Sequence, residues 1–132
     1  MNINDYILQL EAIINSFSLI SSYNLAIDRK SDEIVFISGR IDFRNGTTLD
    51  FKEFIESTEK GIEKYMYGYN YRSGSHAFFR YDNAPDPGAK GVKSFPHHKH
   101  LENASIVESA QIDLSDVLNE IEKMYPIEDK DE

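Results

Sequence analysis

The chain has 132 residues and a formal net charge of −9; 40% of its residues are hydrophobic, 28% are charged and none is cysteine. That length suits one domain, the apolar share is too high for wholesale disorder, and the missing thiols exclude disulfides, thiolate catalysis and cysteine-based zinc sites. Met1–Asp5 lacks a basic leader, and no apolar run approaches the roughly 20 residues of a membrane helix, so a cytoplasmic, unprocessed protein without membrane attachment is expected.

Apolar residues at Ile3, Tyr6, Ile7, Leu10, Ile13, Ile14 and Phe17 fall at helical spacing, which predicts a helix over about 4–17 capped by Asn2 or Asn4. Alternation follows. Tyr23, Leu25 and Ile27 share a strand face, Arg29–Asp32 reads as a turn, and 34–43 reads as a central strand with apolar residues on both faces. Asn45-Gly46, with both residues at φ > 0, predicts a tight hairpin into a strand over 47–55. After Glu59-Lys60-Gly61 comes a strand over 62–71 whose Tyr65, Tyr67, Tyr69 and Tyr71 line one face. Those rings could stack bases in the manner of single-strand binders, but a core or an oligomer interface is the preferred reading.

Ser73-Gly74 turns the chain into a strand over 76–82, in which His76, Phe78, Arg80 and Asp82 share a face opposite Ala77, Phe79 and Tyr81. Three prolines and two glycines make 83–96 a loop, and a short extended piece over 97–101 returns to the sheet. Asp113 caps a last helix with Leu114, Val117, Leu118 and Ile121 on one stripe, ended by Pro126; residues 1–126 are then one domain and 127–132 an acidic, frayed tail. Strands bunched between two helices indicate an α+β fold: a five- to six-stranded, mainly antiparallel meander with both helices on one face and the other face more open.

Charge is unevenly distributed. Residues 72–100 hold five basic side chains against two acids, a local net of +3, together with all four histidines, so the remainder carries −12. This predicts a positive site on an acidic body. Within it, Pro96-His97-His98-Lys99-His100, if extended, sets His98 and His100 on one face and His97 and Lys99 on the other. Imidazoles packed so densely must stay neutral, meet an acid, bind a metal or face an anion.

Three chemistries fit those residues. In metal-free RNA cleavage, His98 and His100 exchange protons with the 2′ and leaving oxygens, Arg80 and Lys99 stabilise the phosphate, and Asp82 orients a histidine. His76, His97, Arg72, Tyr81 and Lys93 would then contact the substrate. In the second, a transition metal sits on His98, His100 and Asp82. In the third, a non-enzymatic module holds nucleic acid or an acidic partner through phosphate-type contacts alone. No P-loop, Gly-x-Ser-x-Gly or His-Glu-x-x-His motif is present.

The blocks Phe79-Arg80-Tyr81-Asp82-Asn83-Ala84-Pro85 and Phe95-Pro96-His97-His98-Lys99-His100 together resemble the signature of the TumE-like toxins of prokaryotic toxin–antitoxin systems. Where histidines often follow the Asn-Ala-Pro block in that family, this chain has Asp86-Pro87. The resemblance implies a cytoplasmic, growth-inhibiting toxin that binds a cognate antitoxin. RNA as its substrate, without a cofactor, is the expectation from the residues themselves, and a homodimer is one arrangement it could take.

Overall fold

The computed structural model describes residues 1–125. Helix α1 (Ile3–Asn15) is followed by seven strands, β1 (Ile20–Arg29), β2 (Ile34–Phe43), β3 (Thr48–Thr58), β4 (Gly61–Ser73), β5 (His76–Asp82), β6 (His98–Leu101) and β7 (Ile106–Glu108), and then by α2 (Leu114–Met124). Each strand pairs antiparallel with its neighbour in chain order, giving one open meander. This is the α+β architecture read from the sequence, with one strand more. The extra strand is β7, three residues long and without an apolar alternation that would announce it; a turn with Ala104 at φ 74 brings it back beside β6.

Both helices start at reciprocal caps. Asn2 and Asp5 exchange side-chain and backbone hydrogen bonds at α1, and Asp113 and Asp116 do the same at α2, satisfying amide groups that the first turn leaves unpaired. Ile3, Leu10 and Ile14 of α1 and Leu114, Val117, Leu118 and Ile121 of α2 are buried against the same sheet face. Across that face lie Ile37, Ile41, Leu49, Phe51, Tyr69 and Phe79, all at 4% exposure or less. Gly39 belongs to it as well: a Cβ there would meet Phe51 Cε1 at 2.4 Å and Leu25 Cδ2 at 2.9 Å, so the ring of Phe51 occupies the space that a side chain would need. Pro126 and the 127–132 tail lie outside the described residues.

Two local readings are corrected. At the first hairpin only Gly46 (φ 86) is left-handed; Asn45 is not. Phe43 N donates to Thr47 O and Gly46 N to Phe43 O, so the connection is a three-residue loop ending in a left-handed glycine, and the Asn45 side chain accepts from Thr47 N. The tyrosine row is also shorter than alternation predicts. Register shifts between Phe54 and Ile55, where Phe54 pairs with Met66 but Ile55 pairs with Lys64. The extra residue is Tyr65, which stands 48% exposed beside Phe54, while Tyr67, Tyr69 and Tyr71 stay in the core. A bulge reverses the facing of everything on one side of it, and no sequence period reports it.

Candidate active site

The face of the sheet away from the helices carries the polar residues. Pairing lays Ser38, Lys52, Gly68, Asp82, His98 and Glu108 side by side across β2 to β7. Two residues along each strand lies the parallel row Arg40, Asp50, Asn70, Arg80, His100 and Ile106. The pairs Asp82–His98 and Arg80–His100 therefore form a two-by-two block at the β5–β6 junction.

Bonding inside the block is dense. Arg80 Nε donates to Asp82 Oδ2 (3.0 Å) and Arg80 Nη2 to His100 Nε2 (2.9 Å), which places the His100 proton on Nδ1. His100 Nε2 is itself 3.7 Å from Asp82 Oδ2. Burial, then the Arg80 charge, holds the His100 imidazole below its ordinary range, against the opposite pull of Asp82. Asp86 pulls the same way as Asp82 from the adjoining loop, where its own carboxylate caps the short turn Pro87–Ala89 through Gly88 N (2.8 Å).

His98 is different. It is completely buried, and its Nδ1 lies 2.7 Å from Pro96 O, a group that can only accept, so Nδ1 carries a proton. Its Nε2 comes within 3.0 Å of Asp82 Oδ1, yet the angles do not make a hydrogen bond and the atom has no other partner among the described residues. Asp82 Oδ1 is meanwhile taken by Ala84 N at 3.1 Å. The donor atoms of Asp82, His98 and His100 all lie within 4.8 Å of one another.

Other residues expected at the site point elsewhere. Lys99 faces the helices, where its Nζ bonds Glu120 (2.7 Å) and lies 4.9 Å from the Tyr81 ring centre. Tyr81 OH donates to the same Glu120 (2.6 Å). His97 stacks on Tyr67 and bonds its hydroxyl through Nδ1 (3.0 Å). His76, at the far end of β5, pairs with Glu102 (2.6 Å), because a register shift beside Tyr71 removes it from the Arg80 row and turns Phe78 toward the core. Arg72 is held by Asp50 (2.5 Å), and Lys93 is exposed in the loop. The alternation of 97–100 already separated Lys99 and His97 from the other pair; the charge pattern hid it.

Beside the block the open face sinks into a hollow of about 610 Å³, lined among others by Phe36, Lys52, Met66, Asn70, Arg80 and Asp82. Gly68 lies at its floor, between Asp82 and Lys52, whose stem comes within contact distance of where a Gly68 side chain would start. Sequence reading singled out Arg80 and Asp82 but passed over Phe36, Lys52, Met66, Gly68 and Asn70. The available signal was polar positions alternating with the buried ones along β3 and β4.

The family model for Toxin TumE matches residues 10–125, which include every element except the start of α1. The chain belongs to the toxin TumE family. No curated protein and no solved structure matches it. TumE membership makes it a toxin of a toxin–antitoxin system and implies a cognate antitoxin. Among the described residues of this TumE chain, no helix is long and apolar enough to cross a membrane.

Proposed function

We propose that this toxin cuts RNA, with the block of Arg80, Asp82, His98 and His100 as its reaction centre. The observation that carries the reading is the β5–β6 register, which gathers a guanidinium, a carboxylate and two imidazoles at the rim of an open hollow. Arg80, whose side chain is 48% exposed, can turn to hold a phosphate by paired, charge-assisted hydrogen bonds. His100 is the imidazole of the block with solvent access, and a depressed pKa keeps it neutral near pH 7, ready to take the 2′-hydroxyl proton. The 2′ oxygen attacks phosphorus, the 5′ oxygen departs and is protonated from water, and a 2′,3′-cyclic phosphate remains. Complete burial gives His98 a positioning role on Asp82 in place of a proton shuttle, and Lys99 has none.

The test uses tag-free protein with a labelled single-stranded RNA and its DNA counterpart. Cutting of the RNA alone, ending in a cyclic phosphate and abolished in His100→Ala and Arg80→Ala, supports the proposal. Failure to cut any RNA, with no growth arrest when the chain is expressed without antitoxin, removes it.

The unpartnered His98 Nε2 favours a second reading. With Nδ1 protonated, a neutral ring directs a bare lone pair at a carboxylate, and a divalent transition metal would satisfy both, with His100 as third ligand and the Pro96 carbonyl fixing the tautomer. Arg80 would then leave His100 for the substrate. In this reading His100 is a ligand and cannot be the base, so chelator-sensitive cutting and one metal ion per chain would replace the metal-free scheme.

A further inference from the structure

We infer that the hollow over Gly68 is a nucleobase pocket, built to take one unpaired base of a single-stranded RNA whose phosphate sits at Arg80. This rests on the RNA reading for the identity of the strand, and it adds where the base goes and why a duplex would not fit.

The first argument is shape. A volume of about 610 Å³ falls in the range of sites that enclose small ligands, and it is open to the reaction centre because Arg80 and Asp82 line both. β5 and β3 are two strand spacings apart, about 10 Å, so a nucleotide anchored at Arg80 lies across β4 with its base toward β3. At the crossing point stands Gly68. A Cβ there would find only ordinary contacts, Lys52 Cε at 3.4 Å and Asp82 Cβ at 3.8 Å, and its φ is not left-handed. Neither crowding nor backbone conformation therefore demands glycine. The absence of a side chain keeps the floor low between Asp82 and the Lys52 stem that lies against it.

The second argument is chemistry. At the β2–β3 end the wall is apolar: the Phe36 and Phe54 rings stack at 4.3 Å, and Met66 beside them is 39% exposed. Both rings are half-buried, and the Phe36 ring that lines the hollow offers a base an aromatic surface without reading its identity. Around the floor, Ser38, Lys52 and Asn70 make no side-chain hydrogen bond or ion pair among the described residues, although they line the hollow. Nearby on this face several polar groups are taken, as in Arg40 and Arg72 on Asp50 and Thr48 on Asp42. Unspent donors and acceptors collected at one hollow, with an apolar wall and a phosphate-competent arginine beside it, match a nucleotide better than a protein surface. A duplex keeps its bases stacked inside and cannot offer one.

The experiment measures binding separately from cutting. A fluorescein-labelled, single-stranded 2′-O-methyl RNA, which lacks the attacking hydroxyl, is titrated with the intact chain and followed by anisotropy. The same backbone made abasic, and the same sequence as a duplex, are compared. The base-bearing single strand should bind between roughly 5- and 100-fold more tightly than the abasic strand. Gly68→Val, which fills the floor with a strand-favouring side chain, and Phe36→Ala should each erase most of that difference while leaving the thermal unfolding transition cooperative. Equal affinity for base-bearing and abasic strands, equal affinity for the duplex, or no effect of either variant would overturn the pocket. Binding with this pattern but no cutting of natural RNA would leave the pocket standing and remove the nuclease. Cutting without base-dependent binding would do the reverse.

Discussion

Glu53 is a carboxylate with no exposure, placed mid-sheet beneath α1, and changing it to glutamine should cost more stability than its conservative look suggests. Its Oε1 accepts from Tyr6 OH at 2.5 Å, its Oε2 accepts from Tyr69 OH, and Lys64 Nζ lies 3.8 Å away. Burial and then the Glu53 charge push both phenols well above their ordinary range, while burial lowers Lys64 and Glu53 partly restores it. Hydrogen bonds to a charged acceptor contribute about 1.5–3 kcal/mol each, and glutamine keeps one neutral acceptor while turning an amide N–H₂ toward the other hydroxyl. Removing one member of a buried ion pair costs about 3–5 kcal/mol, but Lys64 keeps the Ile112 carbonyl (2.6 Å) and Tyr69 hydroxyl (2.7 Å), so only part of that applies. The two contributions together give about 3–4 kcal/mol for Glu53→Gln. Urea unfolding followed by far-ultraviolet circular dichroism should show it as a midpoint lowered by more than about 1 M at unchanged slope. Lys64→Met added to Glu53→Gln should cost less than the sum of the two single changes, since it removes the stranded ammonium. A loss under about 1 kcal/mol, or strict additivity, would refute the reasoning.

Gly39→Ala should lower stability by about 1–3 kcal/mol, since its Cβ falls 2.4 Å from the Phe51 ring, while Gly68→Ala should stay within about 0.5 kcal/mol; thermal melts of the two compare them directly. Burial raises the Asp50 pKa, but the Arg72 and Arg40 hydrogen bonds outweigh it and hold the carboxyl below its ordinary 3.8. A depressed folded pKa stabilises the fold above the unfolded value and is lost as pH falls through the folded one, so the stability gap between wild type and Asp50→Asn should shrink as urea midpoints are taken from pH 6 down to pH 3. Lys99→Ala should leave RNA cutting intact and cost no more than about 1 kcal/mol, because Lys99 serves a partly exposed pair with Glu120 on the helix side; Arg80→Ala should abolish cutting in the same gel assay.

Much of the site could be read before any coordinates. Period-two alternation put Arg80 with Asp82 and His98 with His100, and the proline-rich 83–96 segment is short enough to let the two stretches meet. That they meet in the register Asp82 to His98, and not one residue off, depends on the length and folding of that loop, including the Pro87–Ala89 turn and the buried Ala89. A slip of one residue would have faced Lys99 and His97 toward Arg80 instead.

Local physics acts within a few residues, and so the helix caps, the strand alternation, the α+β order and the two blocks that carry the family resemblance were legible along the chain. Pairing register, the bulge that turns out Tyr65, the burial of His98 against Asp82 and the hollow over Gly68 arise from contacts between residues far apart in sequence. Their energies are sums over neighbours that only the assembled sheet supplies, and it is those sums that decided which histidines face the solvent and which polar groups are left to meet a ligand.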